Sequence, residues 1–223
     1  MLIQDVPLIF TAEEFVKANN AHIEEYQMPM SGDLITEWVQ HTYDVDDMYE
    51  LGSGFYSQVF EHPTHDDYVI KISHHENGEK DACIDYILAI HDRTEPWFPR
   101  VGQISSFENT YVIILEKLAA FNHSNIVSDE DEPVSPYMES VYDNIINFIV
   151  CDCHMSQQPL DNIIKEYTKR GATLSMIEEY LPMMYSCWEL FLNLRASLFY
   201  NEDIHEGNVM LRGDQIVITD PIC

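Results

Sequence analysis

The sequence predicts an α+β protein with two lobes, the first built on a small antiparallel sheet and the second mostly helical. Short β-branched runs separated by turn residues occupy most of the chain between about residues 48 and 118. After residue 118, apolar residues recur at helical spacing instead. The length of 223 residues suits two small lobes that share a cleft.

A helical extension is predicted at residues 1–47, with a break at the Pro- and Gly-containing turn of residues 28–32. The first lobe, residues 48–118, is predicted to contain three strands, a helix and two strands in that order. The helix spans residues 79–91 in this prediction. Its expected buried side consists of Ile84, Ile87, Leu88 and His91.

The second lobe, residues 119–223, is predicted to be helical at residues 137–154 and 182–199. The second of these helices is apolar and rich in aromatic residues. A short hairpin over residues 209–219 follows it near the end of the chain.

Charge and composition exclude several classes of protein. With 11 Lys and Arg against 39 Asp and Glu, the formal net charge is −28, which repels nucleic acid and anionic membranes and attracts basic partners. A hydrophobic content of 46% excludes a disordered acidic polymer. No apolar run reaches the roughly 18 residues of a membrane span, and the first residues lack the basic start of a secretory signal. The odd number of cysteines, five, favours free thiols in a reducing cytoplasm.

A glycine-containing turn is predicted between the first two strands. Gly52, Ser53 and Gly54 form a GxG turn, and Val59 lies on the strand that follows. Glycines in such a turn let the backbone approach phosphate oxygens without interference from a Cβ. Ser57 stands where a third glycine is usual, so this turn alone is a weak signal.

Lys71 interrupts the β-branched run of residues 68–72, one strand after the glycines. It is predicted to point away from its apolar neighbours, under the glycine turn, where its amine would hold nucleotide phosphates. The alternative is a lysine on an edge strand whose amine reaches out to solvent.

Three polar residues follow the long apolar helix. Asp203 and Asn208 fit a D-x-x-x-x-N pattern, in which the aspartate accepts the proton of an attacking hydroxyl and the asparagine binds a divalent cation. Asp220, at the far end of the hairpin, is predicted to chelate the metal that bridges the phosphates. The glycine turn, Lys71, the Asp203–Asn208 pair and Asp220 therefore predict phosphoryl transfer from a nucleotide.

These motifs resemble the protein-kinase-like fold, and most closely the early serine/threonine protein kinases of T-seven-like bacteriophages. The resemblance rests on the "VIK" strand, on the "DxHxGNxM" catalytic loop and on the "ITDP" segment at residues 218–221. It extends from about residue 48 to the end of the chain, and residues 119–180 match poorly.

The resemblance implies ATP and Mg²⁺ as cofactors. Gly52, Ser53, Gly54 and Val59 would lie around the nucleotide, Lys71 would grip the α- and β-phosphates, and residues Glu116 to Leu118 would form the hinge that meets adenine. Asp203 would be the catalytic base, and Asn208 and Asp220 the magnesium ligands. Glu79 is chosen as the partner of Lys71, with Asp81 and Asp85 left as alternatives.

Two departures from the family pattern bear on function. Asn201 and Glu202 replace the His-Arg pair before the catalytic aspartate, so an activation loop controlled by phosphorylation is not expected. The chain ends three residues after Asp220, so we expect either a minimal kinase-like fold or a fragment of a longer protein.

The function implied by the resemblance is an ATP-dependent serine/threonine protein kinase of phage origin. It would act in the host bacterial cytoplasm on basic host proteins, to reprogram the host or to counter its defences, and autophosphorylation stays open. One alternative is a catalytically idle acidic kinase-fold protein that blocks a basic, nucleic-acid-binding host protein. Another is a small-molecule phosphotransferase of the aminoglycoside type.

Overall fold

The computed structural model describes residues 2–45, 48–54, 56–74, 81–120, 208–213 and 215–219. Within 165–194 it further describes residues 165, 182–183, 186–187, 189–190 and 193–194, and all of these are helical. The predicted helix at 137–154 lies outside the described residues. The chain divides into two compact units, Met1–Lys117 and Leu118–Cys223.

The first unit contains the elements that the sequence predicts, in the predicted order. After a 3-10 turn at Ile3–Asp5, its helices are α1 (Ala12–Tyr26), α2 (Gly32–Tyr43) and α3 (Ala82–Ile90). Its strands are β1 (Glu50–Ser53), β2 (Ser57–Glu61), β3 (Tyr68–Ser73), β4 (Val101–Phe107) and β5 (Thr110–Glu116). The five strands form one antiparallel sheet in the order β1-β2-β3-β5-β4.

Local capping explains where α1 and α2 begin and end. The Thr11 hydroxyl accepts a hydrogen bond from the Glu14 amide, and the Glu14 carboxylate accepts one from the Thr11 amide at 2.7 Å. This capping box satisfies amides that a helix start otherwise leaves unpaired. Gln27 ends α1 in the left-handed conformation with φ of 60°, and Ser31 caps α2. The predicted break between the two helices is confirmed.

One face of the sheet buries the main hydrophobic core of the first unit. Phe60, Ile70 and Ile114 are directly opposite one another on three neighbouring strands and therefore share a face. They pack with buried residues of the N-terminal segment and of both N-terminal helices. These residues are Ile3, Val6, Phe10, Ala12, Phe15, Val16, Ile35 and Val39.

Helix α3 buries two of the four predicted residues, Ile84 and Ile87, whereas the other two are more exposed than predicted. Leu88 is 45% exposed and His91 is only half-buried, whereas Cys83, Ile87 and Ile90 are almost fully buried. The buried stripe is centred on Cys83, Ile87 and Ile90, which recur at three- and four-residue spacing.

His62, next to the end of β2, ties the N-terminal segment to the sheet. Its Nε2 lies 3.0 Å from the carbonyl oxygen of Pro7, and its Nδ1 lies 3.3 Å from the amide of Thr64. Because the carbonyl accepts and the amide donates, this arrangement suits a neutral imidazole with its proton on Nε2. Burial lowers the pKa of His62 below its ordinary value of 6.5.

Acidification is therefore expected to destabilise the protein through His62. Below pH 6.5 the unfolded chain takes up a proton that the folded state resists, so stability falls until the pH passes the lower folded pKa. Urea unfolding at pH 7.5 and at pH 5.5 measures the loss. Glutamine at position 62 keeps a donor and an acceptor but does not titrate. An unchanged pH dependence in His62→Gln would assign the effect to other groups.

The second unit is described at its sheet and at part of one helical stretch. Strands β6 (Ala119–Ala120), β7 (Val209–Arg212) and β8 (Gln215–Ile218) form an antiparallel sheet in that order. The predicted hairpin is confirmed, and its turn uses Gly213 with φ of 57°. The described helical residues Met183, Cys187, Leu190 and Leu194 are buried.

In the part of the chain that the structure describes, none of the helices combines the length and the hydropathy that a membrane span requires.

Candidate functional site

In the glycine turn between β1 and β2, the space that side chains at the two glycines would occupy is empty of other atoms of the described chain. The Gly54 amide donates a hydrogen bond to the Ser57 carbonyl at 2.7 Å, which closes the turn. A Cβ at Gly52 would have no neighbour within 4 Å, and one at Gly54 would meet only the Ser57 oxygen at 4.0 Å. Neither glycine adopts a left-handed conformation. Neither packing nor backbone strain within the described residues therefore requires glycine at these positions.

A cross-strand row joins the glycine turn to the predicted lysine. Gly52, Val59, Lys71 and Ile113 are direct partners on β1, β2, β3 and β5. Residues directly opposite one another across antiparallel strands lie on the same face of the sheet. Three of the predicted site residues therefore share one face, which is opposite to the face that carries Phe60 and Ile70.

Lys71 is buried, with only 6% of its surface exposed. Its Nζ lies 3.1 Å from the Cys83 sulfur and 4.0 Å from the Asp81 carboxylate, both at the start of α3. Strand β3 has a neighbour on each side of the sheet. The alternative of an edge-strand lysine that reaches into solvent is therefore wrong.

Asp81 both starts helix α3 and faces Lys71. Its Oδ1 accepts a hydrogen bond from the Cys83 amide at 3.0 Å, as an N-cap does. Its Oδ2 accepts one from the Ser73 hydroxyl at 3.1 Å and is the oxygen that faces Lys71. Of the three carboxylates left open by the sequence, Asp81 is placed beside the lysine. Glu79 lies outside the described residues, and Asp85 lies in the first turn of α3.

The predicted hinge residues are found at the end of β5. The Glu116 amide donates to the Arg100 carbonyl at 3.1 Å, and the Glu116 carboxylate accepts from the Arg100 amide at 2.7 Å. The two compact units meet in sequence between Lys117 and Leu118. Both the amide and the carboxylate of Glu116 are therefore already bonded to the backbone of Arg100. Of the predicted hinge residues, Leu118 is the one that follows the boundary between the two units.

The hairpin of the second unit brings its two ends together. The Asn208 carbonyl accepts hydrogen bonds from both the amide and the hydroxyl of Thr219, each at 3.0 Å. Asp220 is the next residue in the sequence after Thr219. Asp220 and Asp203 both lie outside the described residues.

The predicted magnesium ligands combine an amide oxygen with a carboxylate, and Mg²⁺ prefers such oxygen ligands. Among the residues that the structure describes, no group of three His, Cys, Asp or Glu side chains could hold a metal ion. Asp220 lies outside the described residues, so the predicted pair of ligands stays a prediction.

Two residues that contact or adjoin the predicted site residues are not among those predicted from the sequence. Leu51 directly precedes Gly52 and is 48% exposed. Its position before the glycine turn was a signal that could have identified it. Cys83 beside Lys71 gave no such signal, because only the packing of α3 against β3 reveals it.

The antiparallel sheet, its buried lysine and the carboxylate at the start of the following helix define an α+β, kinase-like protein. The chain belongs to the bacteriophage T7 protein kinase 0.7 family, whose family model matches residues 36–223. The family and fold class predicted from the sequence are confirmed.

Two solved structures of kinases are similar over most of the chain. Rad53 residues 1–466, in complex with AMP-PNP, has 12% identity and a TM-score of 0.39, with 84% of this chain and 42% of that chain covered. The PknI kinase domain of Mycobacterium tuberculosis, a double mutant, has 11% identity and a TM-score of 0.36, with 77% and 57% covered. The chain thus spans less than two thirds of either structure, and likenesses this low assign no residue. Among curated proteins, none matches this chain.

Proposed function

We propose that this protein is an ATP-dependent serine/threonine protein kinase of phage origin that phosphorylates host proteins in the bacterial cytoplasm. The observation that carries the proposal is the row of Gly52, Val59 and Lys71 on one face of the sheet, with Asp81 beside the lysine. Family membership supports the reaction class.

The nucleotide would bind against the face that carries this row. The turn formed by Gly52, Ser53 and Gly54 would lie over the phosphates, where the two glycines carry no Cβ and leave room for the phosphate oxygens. Lys71 would neutralise phosphate charge, while Asp81 keeps the amine oriented. Val59 would offer apolar surface to the adenine ring from the face that carries Lys71, and Leu118 would stand at the hinge.

The acceptor hydroxyl would lose its proton to Asp203 as it attacks the γ-phosphate. Asn208 and Asp220 would hold Mg²⁺, which supplies neutralisation of the charge on the phosphates. The paired backbone of Asn208 and Thr219 supports this assignment, because it sets the two ends of the hairpin side by side.

The net charge of −28 supports basic host proteins as substrates. A strongly anionic enzyme collects cationic partners by electrostatic steering, and this attraction is screened by salt. Transfer to host proteins is therefore expected to weaken steeply as salt is added, whereas hydrolysis or autophosphorylation with the same nucleotide is expected to weaken less.

Phosphate transfer from γ-labelled ATP with Mg²⁺ to a host lysate, and to the protein itself, tests the proposal. Wild type is expected to label protein bands, and Asp203→Ala and Asp220→Ala are expected to lose about 100-fold or more of the signal. Absence of label, together with no thermal shift on adding nucleotide, would overturn the proposal and favour the idle acidic binding protein. Label found only on small molecules would favour a small-molecule phosphotransferase.

Alanine at Gly52 is expected to weaken nucleotide binding without destabilising the fold. The new methyl group meets no atom of the described chain within 4 Å, so stability should change by less than about 0.5 kcal/mol. Steric contact with a phosphate should cost about tenfold in affinity, equivalent to about 1.4 kcal/mol. Nucleotide titration and urea unfolding of the same samples measure both quantities.

Gly102→Ala is the matched control for that experiment. A Cβ at Gly102 would lie 2.9 Å from the Ile3 carbonyl oxygen and 3.1 Å from the Ile114 Cβ, so this variant should lose stability. Equal affinity for nucleotide in wild type and Gly52→Ala would contradict the placement of phosphates at the glycine turn.

A further inference from the structure

Lys71 and Cys83 form a buried pair of nucleophilic side chains. The nitrogen and the sulfur lie 3.1 Å apart, and the two residues are 6% and 1% exposed. They belong to different elements, β3 and α3, so their contact depends on the packing of the helix against the sheet. Atoms at 3 to 3.5 Å, as a general estimate, are already within the range from which a bond can form.

The surroundings of the pair hold both groups in place. The Cys83 amide is fixed by its hydrogen bond to Asp81, whose other oxygen faces the Lys71 amine. The Ser73 hydroxyl donates to that same oxygen. The backbone of Cys83 is therefore held close to the amine at the start of α3, and a product that joins the two atoms needs little movement of the backbone.

The geometry points to Lys71 and Cys83 as a redox modification site, at which a peroxide oxidant joins them through a sulfur–nitrogen bond. In the first step hydrogen peroxide oxidises the Cys83 thiol to a sulfenic acid, and one molecule of water is released. In the second step the Lys71 nitrogen attacks the sulfur, and the sulfur–oxygen bond breaks as the sulfur–nitrogen bond forms. The ammonium group first releases one proton to the surroundings, because the attack needs the lone pair of the nitrogen, and the hydroxyl then leaves as water with a second proton from the same nitrogen.

Access to the buried sulfur requires only a local opening. Hydrogen peroxide is close to water in size, and the start of a helix opens more easily than its centre. The reaction is therefore expected to be limited by opening at the N-terminus of α3. Conditions that loosen this end of the helix, such as low urea below the unfolding transition, should accelerate it.

The cross-link would switch off the proposed kinase, and this consequence rests on the proposed function. A sulfenamide nitrogen carries no positive charge, and it is tethered to α3, so Lys71 could no longer grip phosphate. Reduction by a thiol would restore both side chains.

Peptide mapping by mass spectrometry of the full chain, after treatment with hydrogen peroxide, tests the cross-link without any nucleotide. We expect a peptide that joins the Lys71 and Cys83 segments, lighter by two hydrogen atoms than the sum of its parts and separated again by dithiothreitol. Cys187→Ser removes the other described buried cysteine and should leave this product unchanged. Cys83→Ser and Lys71→Arg should abolish it.

Three outcomes would overturn the inference: a sulfenic acid at Cys83 that persists without a cross-link, a disulfide of Cys83 in place of the cross-link, or an unmodified Cys83. The wild-type peptide map decides between these outcomes even if a variant fails to fold. Because the map contains no nucleotide, failure of the proposed function would leave the mass result intact. ATP-dependent transfer, measured on the same samples, reports separately on the consequence for activity.

Discussion

Methionine in place of Lys71 is expected to reduce phosphate transfer by about 100-fold or more. Methionine has a similar length and fills the same buried volume, but it brings no charge to the phosphates. The loss should appear in the assay with γ-labelled ATP and as weaker nucleotide binding in a titration.

The same variant is expected to destabilise the protein, and a second substitution separates the two effects. Lys71→Met leaves the buried Asp81 carboxylate without its cation, although Ser73 and the Cys83 amide still donate to it. We expect a loss of about 1–3 kcal/mol in unfolding free energy. Asp81→Asn in the Lys71→Met background removes the stranded charge and keeps a good N-cap residue, so stability should recover.

Activity should not recover in that double variant, because the cation for the phosphates is still absent. If the double variant regained phosphate transfer, Lys71 would be a structural residue rather than part of the nucleotide site. If Lys71→Met were as active as wild type, the proposed phosphate contact would be wrong.

Alanine in place of Phe10 is expected to lower the unfolding free energy by about 3–5 kcal/mol. Phe10 is 2% exposed, and its ring lies against Trp38 with centroids 5.1 Å apart in an edge-to-face arrangement. Phe15 and Tyr43 lie within 6.5 Å and 6.2 Å of the same ring. Truncation therefore opens a cavity in the centre of this aromatic group, which the neighbouring elements can fill only in part.

Tyr26→Ala is the matched control, since Tyr26 is an aromatic residue of α1 that is 57% exposed, and its loss should cost little. Where Phe10→Ala fails to fold, Phe10→Leu should show a smaller loss, of about 1 kcal/mol. A change below about 1 kcal/mol for Phe10→Ala would contradict the packing of the N-terminal segment into the core.

This prediction concerns the role of the N-terminal helices. Phe10 and Phe15 belong to the same buried cluster as Phe60 and Ile70 of the sheet. The helices cover the face of the sheet opposite to Lys71, so their contribution to the proposed activity is indirect. They stabilise the strand that carries the lysine.

Local patterns in the sequence were enough to predict the order of helices and strands in the first unit and the family of the protein. Strand and helix periods differ, and the turns are marked by Gly, Pro, Asn and Asp, so the order of elements follows from short windows of sequence. The placement of Lys71 on the face of Gly52 and Val59 agrees with the strand and turn pattern, because alternation along a strand fixes which side chains share a face. The motifs at residues 203–208 and 218–221 indicated the family to which the chain belongs.

Tertiary structure alone decided which groups surround the lysine amine. In the sequence, Glu79, Asp81 and Asp85 all lie near the predicted start of one helix, and their spacing does not say which of them reaches a strand that packs against that helix. In the structure, Asp81 caps α3 and Cys83 lies on its buried side, and both residues are beside Lys71. With the helix in this orientation, Leu88 is exposed. The side of a helix that faces a sheet is determined by how the side chains of both elements fit together. This fit depends on residues that are far apart in the sequence.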